Sequence, residues 1–148
     1  MPDEPIRLNR LISRSFPADR IAPATARRAL EDVRAEIGDD LSEDIRLLVS
    51  EIVTNSVLHG PSAPAAAVEL RVWASDDVVR VAVTDQGAGF EPQERPTGGD
   101  RSGWGLMMVD RLADRWGVEL GSGTEVWFEM RRTDARSPDG RPGAVCLN

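Results

Sequence analysis

The chain has 148 residues, 41% apolar and 29% charged, which suffices for one domain with a real core and is too few for two well-packed ones. Its 25 acidic groups against 18 basic ones leave a net charge of −7, a balance that argues against duplex binding, which wants a basic face for phosphates. Every basic residue other than the histidine is arginine, which excludes a Schiff-base lysine, a lysine general base and a Walker-type phosphate loop from this chain.

Residues 6–16 alternate loosely and predict a first strand, ended by Pro17. Residues 23–37 have helix-forming composition, with Ala26, Ala29, Leu30, Val33 and Ile37 at helical spacing, and Gly38-Asp39-Asp40 stops that helix. Ser42 then reads as an N-cap, with Glu43 and Asp44 in the first turn, where negative charge suits the helix dipole. This second helix runs to about His59, where Gly60-Pro61 closes it, and the stretch PSAPAAA is a loop. Two strands follow, 67–75 and 78–85, joined at Asp76-Asp77 into an antiparallel hairpin. Residues 86–102 hold four glycines and two prolines, and a 17-residue irregular stretch inside a compact domain is usually functional or disordered. A third helix runs from about Gly103 to Arg115. Residues 117–120 and 124–132 make another hairpin, turned by Gly121-Ser122-Gly123. The domain is therefore expected over 1–132, with 133–148 a polar, Pro/Gly-interrupted flexible tail.

The strands come in hairpins and the helices stand apart from them. This predicts an α+β fold, a two-layer sandwich with helices on one face of a mostly antiparallel sheet. One cysteine, Cys146, and one histidine, His59, leave no intramolecular disulfide, no cysteine metal cluster and no multi-histidine zinc site. The N-terminus is acidic and no long apolar run occurs, so neither signal peptide nor membrane span is expected, and the expected compartment is the cytoplasm.

On the second helix, Ile45, Leu48, Val49, Ile52 and Ser56 form the expected core stripe. Glu51, Asn55 and His59 follow at a spacing of four beside it, flanked by Leu47 and Leu58. The pattern fits a solvated helix edge. It also fits a site where Asn55 Oδ1 binds a hard cation and Glu51 accepts a proton, since magnesium needs few protein oxygens when phosphates supply others. Asp85 ends an apolar strand before Gly87 and Gly89, and an ionised carboxylate accepts hydrogen bonds only, which suits an exocyclic amine such as adenine N6. Asp and Gly are also ordinary turn residues. Gly98, Gly99, Gly103 and Gly105 precede or open a helix whose free N–H groups and dipole suit phosphate, with Arg101 in reach of a phosphate oxygen. The same composition describes a plain surface loop. Thr124 begins a strand after a glycine turn, which a β-branched residue does without functional reason.

Taken in order, Glu51-x3-Asn55, Asp85-x-Gly87-x-Gly89, Gly103-x-Gly105 and Gly123-Thr124 resemble the four nucleotide motifs of the GHKL ATPase superfamily, with its Bergerat-type ATP-binding fold. The phrases SEIVTNSVLHG, VTDQGAGF, RSGWGLMMVDRLADRWGV and GSGTEVWFEM are most similar to bacterial anti-sigma factors that are also serine/threonine kinases, and the resemblance covers roughly residues 6–132. It implies Glu51 as general base, Asn55 as magnesium ligand, and Asp85 as acceptor for the adenine amine, supported by Thr124. It implies that Gly87 and Gly89 shape the floor under the base, that Gly103 and Gly105 sit by the phosphates at the end of the ATP lid, and that Arg101 is a lid arginine. Trp104 stands where many relatives carry arginine between the lid glycines, a departure that bears on lid behaviour and partner choice more than on nucleotide binding. His59 matches a family histidine and not a phosphoacceptor, and a complete sensor histidine kinase or a gyrase-type ATPase with its transducer domain is excluded.

The resemblance further implies ATP and Mg²⁺ as cofactors, and a sigma factor and an anti-anti-sigma protein as partners. It implies no direct nucleic-acid contact and no membrane, and homodimers are common among such relatives. The expected activity is phosphorylation of Ser or Thr on the anti-anti-sigma partner. Two other readings remain: an ATP-binding switch that sequesters a partner without useful phosphoryl transfer, and a small α+β module without nucleotide. Kinase and switch both need Asn55 and Asp85, whereas only the kinase needs Glu51 and Arg101.

Overall fold

A computed structural model describes residues 8–59, 66–86, 102–121 and 123–132. The elements run β1 (Asn9–Pro17), α1 (Ala22–Glu31), α2 (Arg34–Ile37), α3 (Asp39–His59), β2 (Ala67–Ala74), β3 (Val78–Gln86), α4 (Ser102–Leu112), β4 (Arg115–Leu120) and β5 (Thr124–Arg131). The five strands form one sheet in the order β1-β2-β3-β5-β4, and every neighbouring pair is antiparallel. Strand alternation sorts the sheet into two faces. Ile12 and Phe16, Val68, Leu70 and Val72, Val79, Val81 and Val83, and Phe128 and Met130 are buried on the face that the helices cover. α3 supplies Leu41, Ile45, Leu48, Val49, Ile52 and Val53 to the same core. The buried side of α1 is Ala22, Ala26, Ala29 and Leu30, and it lies against α3 and β1, while α4 lies against α3 and β4. The expected two-layer α+β sandwich is the observed one. No helix among the described residues is long and apolar enough to cross a membrane.

Four local expectations need correction. The helix expected over 23–37 is broken: Asp32 N bonds Ala29 O and Val33 N bonds Leu30 O, the tight pattern of a terminating turn, and Val33 leaves helical geometry at φ −118° before α2 restarts. Ser42 is not an N-cap. α3 begins at Asp39, directly after Gly38, whose φ of +96° only glycine adopts cheaply, and the Ser42 hydroxyl donates to Gly38 O at 2.8 Å from inside the first turn. Ser56 is half-buried at the margin of the α3 core stripe, and Val53 is fully buried. α4 ends at Leu112 rather than near Arg115, because Asp114 takes the β5 backbone: its N–H donates to Glu129 O and its carboxylate accepts from Arg131 N. Arg115 is thereby already in the sheet, opposite Glu129. The β2–β3 turn lies at Asp76-Asp77 as expected, with Ser75 Oγ accepting from the N–H groups of Asp77 and Val78. The expected tail, 133–148, lies outside the described residues.

Candidate functional site

On β3 the helix-facing positions are Val79, Val81 and Val83, and Asp85 continues that alternation where the apolar row runs out. Its carboxylate therefore belongs to the helix side of the sheet. Asp85 pairs with Val68 of β2 on one side and with Thr124, the first residue of β5, on the other. The strand register thus brings together two residues 39 positions apart that the motif order had associated. Asp85 and Thr124 are both half-buried. Burial pushes the Asp85 carboxyl from 3.8 up to about 6, and no cation or donor among the described residues pulls it back. A carboxyl held this way is suited to a ligand that brings its own hydrogen-bond donor.

α3 carries Glu51 and Asn55 one turn apart, both half-buried, beside the buried stripe that contains Leu48 and Ile52. The flanking Leu47 and Leu58 are 42% and 62% exposed, so the two polar groups lie at a helix edge rather than sealed between leucines. α3 packs on β3, which carries Asp85, and on α4. Next to Glu51, Ser50 Oγ accepts from Arg27 of α1 at 3.1 Å and fixes α3 against its neighbour. Gly103 and Gly105 lie in the first turn of α4, whose opposite end is pinned by Trp116 Nε1 donating to Asp110 at 2.9 Å. The N–H groups that precede the first intrahelical bond have no partner within the helix and are available to an anion. Gly87, Gly89 and Arg101 lie outside the described residues, as does the side chain of Trp104.

Among the described residues no three His, Cys, Asp or Glu side chains converge on a point that could hold a metal. A cation at Asn55 would accordingly draw most of its oxygens from phosphate and water, the habit of magnesium. Two arginines that the sequence did not single out prove structurally prominent. Arg71 spans three strands behind Asp85, and Arg132 joins β5 to the α2–α3 corner. The alternation Glu69, Arg71, Trp73 along β2 is the one signal that could have marked the former.

Residues 16–130 match the family model described as histidine kinase-like ATPase domain. Over 122 residues the chain is 30% identical to an anti-sigma F factor of Clostridium beijerinckii, covering 73% of this chain and 85% of that protein. Over 130 residues it is 29% identical to the serine-protein kinase RsbW of Bacillus licheniformis, covering 77% and 81%. Among solved structures it is similar to the histidine kinase domain from the blue-light activated histidine kinase of Erythrobacter litoralis EL346, with a TM-score of 0.50 and 26% identity over 78% of this chain. The chain spans 61% of that neighbour. All the candidate site residues fall inside the matched span.

Proposed function

The chain belongs to the histidine kinase-like ATPase family, with the GHKL fold its motifs implied, and from that premise we propose that it is an ATP- and Mg²⁺-dependent anti-sigma factor that phosphorylates serine or threonine of an anti-anti-sigma partner. The observation that carries this reading is Asp85: a half-buried carboxyl with no compensating donor among the described residues, in register with Thr124, on the sheet face covered by the helix that bears Glu51 and Asn55. The names of the relatives, anti-sigma F factor and serine-protein kinase, support the regulatory and the catalytic halves of the reading respectively.

The residues fit an adenine nucleotide. Asp85 would accept the hydrogen bond of the exocyclic amine, with Thr124 beside it. Asn55 Oδ1 would be the protein oxygen on Mg²⁺, and the backbone of Gly103 and Gly105 would offer N–H groups to phosphate. When bound, Mg²⁺ would offset the charge of the phosphates. Glu51, one turn from Asn55, would take the proton of the attacking hydroxyl as its oxygen bonds to the γ-phosphorus and the bond to the β,γ-bridging oxygen breaks, releasing ADP. Arg101 would offset charge on the transferred group. The second reading, a partner-sequestering ATP switch without phosphoryl transfer, draws on Trp104 standing between the lid glycines.

Transfer of labelled γ-phosphate to the purified cognate anti-anti-sigma protein, beside ATP binding on the same samples, tests the proposal. Glu51→Gln keeps size and most hydrogen bonding but cannot accept a proton, so transfer should fall by about 10²- to 10⁴-fold with ATP affinity nearly unchanged. A wild type that binds ATP and transfers nothing is the switch. A variant that transfers as fast as wild type removes Glu51 as base.

A further inference from the structure

Arg71 lies on the sheet face turned away from the helices, since its neighbours Leu70 and Val72 are the ones buried in the core. On that outer face the register sets Glu69, Thr84, Glu125 and Glu119 in one row across four strands. Arg71 belongs to the next row, opposite Ala82. Its guanidinium nevertheless reaches diagonally into the acidic row. One terminal nitrogen donates to Thr84 Oγ1 at 3.3 Å and to Glu125 Oε1 at 3.1 Å, and the head lies 5.3 Å from the centre of the Trp73 ring. Among the described residues Arg71 Nε is buried without a hydrogen-bond acceptor, with a Glu69 oxygen 3.7 Å away. The bonds to β3 and β5, not one from Nε to its own strand, therefore fix the head. Arg71 and Glu125 are each only 27% exposed at the side chain, so this contact is less screened than a surface pair.

Thr84 and Glu125 precede and follow Asp85 and Thr124 in sequence and form the adjoining rung of the β3–β5 ladder. The Asp85–Thr124 rung is the last that these strands make, because β5 begins at Thr124. A terminal rung is supported by the ladder from one side only and opens most readily. Arg71 supplies the missing support from behind, since one side chain ties β2 to both strands a single residue away. We propose that Arg71 is a positioning residue for the nucleotide site: without touching nucleotide, it holds Asp85 and Thr124 in register from the opposite face of the sheet. This rests on the reading of Asp85 as the adenine acceptor.

The test compares ATP binding by calorimetry in wild type, Arg71→Gln, Arg71→Lys and Arg80→Gln, with amide hydrogen exchange over residues 84–86 and 124–126 of the intact, nucleotide-free proteins. Arg80 is the control: it makes a bridge at least as enclosed on the same face, to Glu129 at 2.7 Å and over Trp127 at 4.3 Å, but far from the terminal rung. Arg71→Gln should weaken ATP binding by about 3- to 30-fold and speed exchange at the two segments. Arg71→Lys should restore part of both, and it carries the test alone if the glutamine variant does not fold. Arg80→Gln should leave ATP affinity and these amides as in wild type. Equal ATP affinity in wild type and Arg71→Gln overturns the proposal, and so does an equal loss in the Arg71 and Arg80 variants, which would be a general effect on the sheet. If wild type binds no ATP, the adenine reading fails on its own. Exchange then decides the strap, with faster opening of the two segments in Arg71→Gln than in Arg80→Gln upholding it and no difference overturning it.

Discussion

Asp85 occupies a place where its charge is disfavoured, and that has opposite consequences for the fold and for the ligand. Its carboxyl titrates at about 6 in the folded protein against 3.8 without the fold, so the neutral form is the one that stabilises the nucleotide-free protein. That contribution is complete below about 4 and is lost as the pH rises through about 6. The adenine amine, a donor, asks for the ionised acceptor, so ATP affinity should fall as the pH drops through the same range. Asp85→Asn should reverse the balance. Near pH 7.5 the variant melts higher than wild type, because the disfavoured charge is gone. It binds ATP more weakly by about 5- to 150-fold, because its NH₂ can confront the adenine amine and leave both donors unpaired. Titrations of ATP near pH 7.5 and 5.5, with thermal melts of the same samples, check both signs. The phosphates' own titration is common to both proteins, so their difference isolates Asp85. Equal ATP affinity near pH 7.5 would remove the adenine assignment.

On the proposed reading α3 separates packing and catalysis onto two stripes. Ile45, Leu48, Val49, Ile52 and Val53 are buried, while Glu51 and Asn55 lie at the edge. Asn55→Ala should therefore leave the melting transition nearly unchanged, within about 0.5 kcal/mol, and abolish the gain in ATP affinity that Mg²⁺ brings. ATP titrations with Mg²⁺ and with a chelator read this directly, and a variant that gains as much as wild type would put the metal elsewhere. The same separation is what made α3 legible, since a 3.6-residue period announces the core stripe and leaves the polar residues conspicuous beside it. β2 and β3 were legible for the analogous reason, a two-residue alternation on either side of Asp76-Asp77. The start of α3 was not. It depends on the φ of +96° at Gly38 and on Arg132, which donates to Ile37 O and Glu36 O across about 95 residues of sequence. The end of α4 was misread because Asp114 answers to the backbone of Arg131 rather than to its own helix. Within the candidate site, motif order was enough to associate Asp85 with Thr124. The role of Arg71 arises only when three strands are laid in register, which no local window contains.

The molecule as a whole is closed at Arg132. Its guanidinium donates to Ile37 O and Glu36 O at 2.7 Å each, its Nε donates to Ser75 O at 2.9 Å, and its backbone N–H donates to Asp77 O at 2.9 Å. One residue past the last strand thus ties the β2–β3 turn and the end of β5 to the corner between α2 and α3, where a cation also suits the C-terminal carbonyls of a helix. Among the described residues, which end at Arg132, the last member of the buried core cluster is Met130. We accordingly expect the boundary of the folding unit between Arg132 and Thr133, and two shortened chains test it together. A chain ending at Arg132 should melt cooperatively, within a few degrees of the full chain, because it keeps both the core and the clamp. A chain ending at Arg131 should lose about 3 kcal/mol, or roughly 10 °C in a domain of this size, since three carbonyls lose a charged donor at once and such bonds are not additive. Arg132→Ala in the 148-residue chain should reproduce most of that loss, which separates the side chain from the mere shortening. If the chains ending at Arg131 and Arg132 melt alike, the clamp does not hold the two layers together. If the chain ending at Arg132 has no cooperative transition, residues beyond it belong to the fold and the boundary is wrong.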